Sequence, residues 1–400
     1  MNEYRLFNIN LQLFAEMNTQ TTGTATLSDE MKTYYSDYLI DNAVPKLVHD
    51  QFGQKHPIPK NGGKTIDFRK YSPLPKLLTP LPEGVTPDGQ SLTVTTVEAT
   101  VDQYGGYVTL SDQLLLTAID NNMVQATKLL GNQAGVTLDT ITREVLNGGT
   151  NVVYAGGVTS RNALTGKLTV DDIKKAVRAL KNQNAEKIGD SYVAIIHPDV
   201  TYDLTNDPTW QAVKDYDPKD WYEGEIGKIA GVRFVETTEA KIFHGDDLAS
   251  DSRTLTVNGQ VSSNTTVTFD GGTVAADALV GREVLIGDTV AKVTANTTTT
   301  LTLDTAVTAA DNDIIYPGEG GKEGCDVYST LILADNAYGV TEIEGGGLQH
   351  IVKQLGSAGT ADPLEQRASV GWKATKVAER LVESFMVRVE SLSTFAGATD

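Results

Sequence analysis

Gly62-Gly63-Lys64-Thr65 has the ending of a phosphate-binding loop, where backbone N–H groups cradle phosphates and a lysine reaches the terminal ones. That loop also needs a glycine at position 58, which here is Ile58, so the stretch reads as a turn entering a strand. Gly224, Gly227 and Gly231 lack dinucleotide-loop spacing and read as backbone turns. His197-Pro198-Asp199 follows an apolar run, a position from which a histidine can act as base or metal ligand. No HExxH pair or His/Cys cluster accompanies it, so His197 reads as a strand-end turn residue whose ring bonds locally. Asp335, Glu342 and Glu344 offer oxygens to a cation, but just before Gly345, Gly346 and Gly347 they read as a solvated acidic loop. Cys325, the only cysteine, excludes an intrachain disulfide and a thiolate-rich metal site, and reads as a small buried hydrophobe. There is no G-x-S-x-G elbow. The expectation is a protein that is not an enzyme, with no catalytic residues, cofactor or metal.

The remaining question is what such a chain positions, if not catalytic groups. Its 400 residues exceed the size at which one core usually stops growing, so two or more structural units are expected. Mean hydropathy of -0.21 is that of a soluble fold, and no apolar run approaches the roughly 20 residues that span a bilayer. The opening MNEYRLFNINLQLFAE lacks a basic cluster and an unbroken apolar stretch, so it reads as a cytoplasmic start and not a secretory signal. A net charge of -19 disfavours direct binding to phosphate backbones.

Residues 1–27 mix apolar patches (Leu6, Phe7, Ile9, Leu11, Leu13, Phe14) with a Thr-rich stretch and read as an arm needing a partner surface. A helix is expected from Ser28 to about Pro45. Residues 61–104 read as a two-stranded projection: Ile66 and Phe68 alternate in the first strand, Leu92, Val94, Val97, Ala99 and Val101 in the second, where a phase change suggests a bulge. Between them stand Pro73, Pro75, Pro80, Pro82 and Pro87, five of the 13 prolines, so the tip should be an irregular extended loop. Leu130, Ala134, Leu138, Ile141 and Val145 mark one face of a long helix that Asn147, Gly148 and Gly149 stop, with Gly131 and Gly135 inside it. From Thr169 the pattern becomes α/β. A Thr169/Asp172 capping box opens a helix with the stripe Ile173, Ala176, Val177, Leu180, and strands follow at Tyr192 to Ile196, Val232 to Val235, Tyr328 to Leu333 and Met386 to Val389. Residues 246–316 differ from their flanks: 15 threonines, and ten acids against three bases. Short β patterns separated by Asn258-Gly259 and Asp270-Gly271 predict a small barrel or sandwich inserted into the host domain.

Several segments resemble the phage major capsid proteins of the N4-gp56 family. They are NLQLFAE, GGKTIDFRKYSPL with LPEGVTPDG, QYGGYVTLSD, IIHPDVTYDL, GEIGKIAGVRFVET, DVYSTLILADNAYG and SFMVRVES, in that order. Together they cover most of the chain outside 246–316. The resemblance implies an α+β HK97-like capsid fold with an N-terminal arm (1–27), a helix and connection (28–60), an E-loop (61–104), a spine helix and P-domain (105–160) and an A-domain with the first part of the P-domain (161–245). An inserted all-β domain (246–316) and the remainder of the A- and P-domains (317–400) would follow.

Function would then be self-assembly into an icosahedral head shell around double-stranded DNA, bound without sequence specificity. The implied partners are copies of the chain in hexamers and pentamers, a portal protein and a decoration protein, with no membrane. A separate scaffolding protein is expected in place of a cleaved N-terminal domain, because only about 27 residues precede the first expected helix. Synthesis would be in the host bacterial cytoplasm and the final location the virion. Candidate inter-subunit contacts are Leu11, Leu13 and Phe14 on the arm, and Ile66, Phe68, Arg69, Lys70, Leu81, Glu83 and Val94 on the ribbon; Arg69 and Lys70 would meet acidic neighbours. The alternatives are an encapsulin-like nanocompartment shell, which shares the fold, and a carbohydrate-binding β-rich adhesin.

Overall fold

The computed structural model describes residues 19–20, 48–71, 74–78, 80, 83–84, 89–118, 122–211, 227–344, 346–357 and 362–395. The expected helix from Ser28 and nearly all of the arm lie outside these residues. In chain order, β1 (Thr19–Gln20) and β2 (Gln54–Lys55) precede β3 (Thr65–Tyr71), β4 (Val94–Thr100), β5 (Asp102–Ser111), α1 (Asp112–Thr117) and the 26-residue α2 (Asn122–Asn147). Then come β6 (Val152–Tyr154), α3 (Val170–Asn182), β7 (Tyr192–Ile196), α4 (Pro198–Thr205), β8 (Lys228–Ile229), β9 (Val232–Glu236) and β10 (Ile242–Phe243). Six strands form the insert: β11 (Leu255–Val257), β12 (Val261–Asp270), β13 (Glu283–Ile286), β14 (Thr289–Asn296), β15 (Thr300–Ala309) and β16 (Ile314–Pro317). The chain closes with β17 (Val327–Leu333), β18 (Tyr338–Thr341), β19 (Gln349–Lys353), β20 (Arg367–Arg380) and β21 (Met386–Ser391).

Two sheets are joined by one helix. The first has the order β1-β5-β20-β18-β2, with β19 beside β20; the second has the order β6-β21-β17-β7-β9-β8, with β10 beside β17. The N-terminal half of α2 lays Leu130 and Ala134 on Val370, Trp372 and Ala374 of the first sheet. Its last turn puts Leu146 against Ile195, Leu331, Leu333 and Met386 of the second. The buried stripe moves accordingly: Leu138, Ile141 and Val145 are half-buried, whereas Asp139, Thr142 and Leu146 are buried. The other face of the second sheet is covered by α3 and α4, so β7 is buried on both sides, as its continuous apolar run requires. Thr169 caps α3 as expected: its Oγ accepts from the Asp172 N–H at 3.4 Å and its hydroxyl donates to the Asp172 carboxylate at 2.7 Å.

Two expectations need correction. The ribbon has no bulge: β3 and β4 pair without interruption from Thr65↔Thr100 to Tyr71↔Val94, so Val94 simply lies on the face opposite Val97 and Ala99. Cys325 is half-buried and not fully so; burial, with Glu323 and Asp326 nearby, pushes its thiol up.

The insert is a closed six-stranded barrel, β11-β12-β15-β14-β13-β16, around its own core of Val257, Val267, Val284, Ile286, Leu301 and Ile315. Gly259, at φ 87°, makes the tight turn that Asn258-Gly259 announced. The chain enters and leaves the barrel side by side, since a Cβ at Gly245 would lie 2.0 Å from Pro317 Cβ. Closure without edges, a separate core and adjacent ends make the barrel removable. Replacing residues 246–317 with a short Gly/Ser linker should leave a soluble host whose tryptophan-monitored unfolding stays cooperative. An insoluble product would make the barrel part of the host fold.

Candidate functional site

The ribbon is fixed at its base, and the described leucines beyond it are exposed. Phe68 is buried against Gly339 of β18, where a Cβ would stand 2.7 Å from its ring. The Val101 N–H donates to the Lys64 carbonyl (2.8 Å), and Ile58 exchanges backbone bonds of 2.8 Å with Glu342 and Glu344, tying the approach to the first sheet. Beyond this base the apolar side chains point into water: Leu74 is 52% exposed, Leu77 78% and Leu78 85%. Prolines bracket that stretch, and Gly84 takes φ 77° in a turn, so the tip forms no ladder of its own among the described residues.

Of the sequence candidates, the structure therefore separates anchors from presented groups. Phe68 is buried within the subunit and Ile66 is half-buried; with Val97, Leu381 and Val382 they line a groove of about 400 Å³ under the ribbon. Arg69 and Glu83 are exposed, and Val94 is 43% exposed. Lys70 lies in β3, but its side chain is outside the described residues, as are Leu81 and the arm residues Leu11, Leu13 and Phe14. The sequence reading missed a second exposed apolar group, Leu348, Ile351, Val352, Leu355 and Leu364, around edge strand β19. Its signal was the apolar alternation in LQHIVKQL.

Two buried polar clusters hold the middle and the C-terminal end of α2. Near its middle, Asp139 accepts from the N–H groups of Val48 (3.1 Å) and His49 (2.8 Å) and from His49 Nδ1 (2.6 Å). Next to it, Lys376 pairs with Asp50 and donates to the Leu138 carbonyl (2.6 Å), while Thr142 donates to Asp50 at 2.5 Å. Residues 48–50 are thus pinned to α2 and β20. At the C-terminal end of α2, the fully buried Glu390 accepts from Arg161 Nε and Nη2 (both 2.7 Å) and from Arg388 Nε (2.8 Å). Arg388 also donates to the terminal carbonyls Asn147 and Gly149, where the helix dipole favours a cation.

Several of the groups suspected of chemistry have a local structural role. His197 is the N-cap of α4, its Nδ1 accepting from the Asp199 N–H at 3.2 Å, and burial holds its pKa below the usual histidine value. Gly62 and Gly63 turn the chain into β3, and Gly227 and Gly231 have φ of 83° and 82°. No group of three or more His, Cys, Asp or Glu side chains converges on a metal position among the described residues. No helix among them is long and apolar enough to cross a membrane.

Residues 94–244 match a family model described as phage capsid protein. No curated protein matches the sequence. Among solved structures, the capsid of Ralstonia phage GP4 is 13% identical with a TM-score of 0.56, over 91% of this chain and 96% of that one. The capsid asymmetric unit of cyanophage Pam1 is also 13% identical, with a TM-score of 0.55 over 99% of this chain and 100% of that one. The capsid of cyanophage P-SCSP1u is 12% identical, with a TM-score of 0.53 over 90% and 93% respectively. Identity this low carries the fold alone. The stretch from Val94 to His244 is similar in sequence to phage capsid protein, and the described residues have the HK97-like capsid fold with a β-barrel inserted in it.

Proposed function

We propose that this chain is a phage major capsid protein whose copies build the head shell that encloses double-stranded DNA. The observation that carries the reading is the HK97-like fold of the described residues, bearing a ribbon whose base is anchored in the subunit and whose Leu74, Leu77 and Leu78 face water. In this reading residues 61–104 are the E-loop, α2 is the spine and the second sheet belongs to the A-domain. Hexamers and pentamers form through A-domain contacts, and the arm and E-loop reach neighbouring subunits. A two-stranded ribbon is marginal in water unless it packs on something, which favours a neighbour under it. Membership in the N4-gp56 family, a separate scaffold, a portal, decoration proteins and synthesis in the host cytoplasm belong to the same proposal.

The test is imaging of particles formed by the expressed chain, alone and with a candidate scaffold, followed by analysis of the contents of native particles. Closed icosahedral shells containing genome-length nucleic acid are expected. Shells filled with a cargo protein would make it an encapsulin-like compartment, and the absence of any particle would remove the shell reading. The α/β framework around the barrel speaks against an adhesin.

A further inference from the structure

Helix α3 buries Ile173, Ala176, Val177 and Leu180 and turns Lys174, Arg178 and Lys181 to solvent. These three stand at i, i+4 and i+7, one stripe along the helix. The acids of its first turn are not available to them, because Lys175 already pairs with Asp171 (2.9 Å) and Asp172 (3.0 Å). Lys174, Arg178 and Lys181 have no ion pair among the described residues, and exposed Lys187 follows just beyond the helix. A solvent-facing cationic stripe is unexpected in a chain of net charge -19.

The barrel has the opposite character. Two of its three bases are turned to its own base: Arg253 donates to the Gly324 carbonyl (2.8 Å) and pairs with Asp326 (3.1 Å), and Arg282 donates to the carbonyls of Asp246 (2.6 Å) and Asp247 (2.7 Å). Asp251, Asp311 and Asp313 accept backbone N–H groups within loops, and Asp304 of β15 accepts the Lys292 N–H of β14. Asp246, Asp247, Asp270, Asp277, Glu283 and Asp288 are exposed as well, with Lys292, opposite Glu283 in the strand register, as the only other base of residues 246–316. Within one subunit the barrel makes polar contacts with its host at Asn162, Gly318, Glu319, Gly324 and Asp326, away from α3.

We infer that the α3 stripe of one subunit docks on the acidic outer surface of the inserted barrel of a second copy. This rests on the shell reading above. Copies of a -19 body repel one another at long range, so local matching of opposite charges favours their close approach. The stripe and the barrel supply that match, and the closed barrel offers no sheet edge for any other kind of pairing. Duplex DNA is the less favoured partner, because a few cations on a strongly anionic body displace few counterions.

The test reverses the stripe (Lys174→Glu, Arg178→Glu, Lys181→Glu) in the full chain, expressed under conditions where the unaltered chain forms particles. The free-subunit concentration in equilibrium with particles should rise about tenfold, as three exposed ion pairs each worth about a factor of two would give. Adding Asp270→Lys, Asp277→Lys, Glu283→Lys and Asp288→Lys to the same chain should restore assembly. The altered residues are exposed, so circular dichroism of the soluble subunit should be unchanged. Unchanged assembly after stripe reversal, or no rescue by the barrel changes, overturns the docking. Normal particle numbers with less packaged DNA would make DNA the partner and overturn it as well. If the unaltered chain forms no particles, the shell reading fails and the docking with it.

Discussion

Replacing Glu390 with Gln should destabilise the subunit by about 3–5 kcal/mol, the usual cost of breaking a buried ion pair from one side. Glu390 is 0% exposed and is the single anion between Arg161 and Arg388. Glutamine removes the charge and turns an amide N–H₂ toward a guanidinium that also only donates. Phe243 would not compensate, although the Arg161 guanidinium lies 3.6 Å above its ring, because cation–π contact contributes about 0.5–2 kcal/mol and is already present. Urea unfolding followed by tryptophan fluorescence provides the measurement. All three tryptophans, Trp210, Trp221 and Trp372, lie outside the barrel, so the signal reports the host. A midpoint close to that of the unaltered protein, as expected for Lys174→Ala at an exposed residue with no ion pair among the described residues, would show that the Glu390 cluster does not stabilise the α2 terminus.

The same cluster marks where the sequence stops being readable. MVRVES alternates valine with charged or polar residues and reads as a strand with one wet face, yet all six residues of β21 are buried. Alternation reports side-chain direction, not what covers each face. Here α3 covers Val387 and Val389, while Arg388 and Glu390 cover each other at the end of α2. The 14-residue β20 was missed for a related reason. Lys373, Thr375 and Lys376 interrupt its apolar residues, but Lys376 is buried because Asp50, far away in sequence, neutralises it. Distant charge pairing leaves no local pattern. The α3 stripe, the Thr169 cap and the Asn258-Gly259 turn were legible because each is set by residues within one or two turns of one another. Phe68 shows the limit for the site itself: its alternation placed it on a ribbon face correctly, but only the close approach of Gly339 shows that this face is the anchored one.

Deleting residues 73–87 should leave the subunit folded and abolish or strongly reduce particles. The two halves of the prediction come from different energies. The tip adds nothing to the subunit's own core, because its described leucines are 52–85% exposed, while β3 and β4 keep their full register and Phe68 keeps its seat. Circular dichroism and the tryptophan-monitored midpoint should therefore be unchanged. Between subunits the account differs, since burying a leucine contributes about 1.5–3 kcal/mol and Leu74, Leu77 and Leu78 are lost together. Each 1.4 kcal/mol weakens one contact about tenfold, and a closed shell repeats the contact at every subunit, so the losses compound. Leu77→Glu with Leu78→Glu tests the same contact with the loop length preserved. If both variants give particles of normal yield and stability, the ribbon is not an inter-subunit element. If only the deletion fails, the backbone span of the tip matters and its leucines do not.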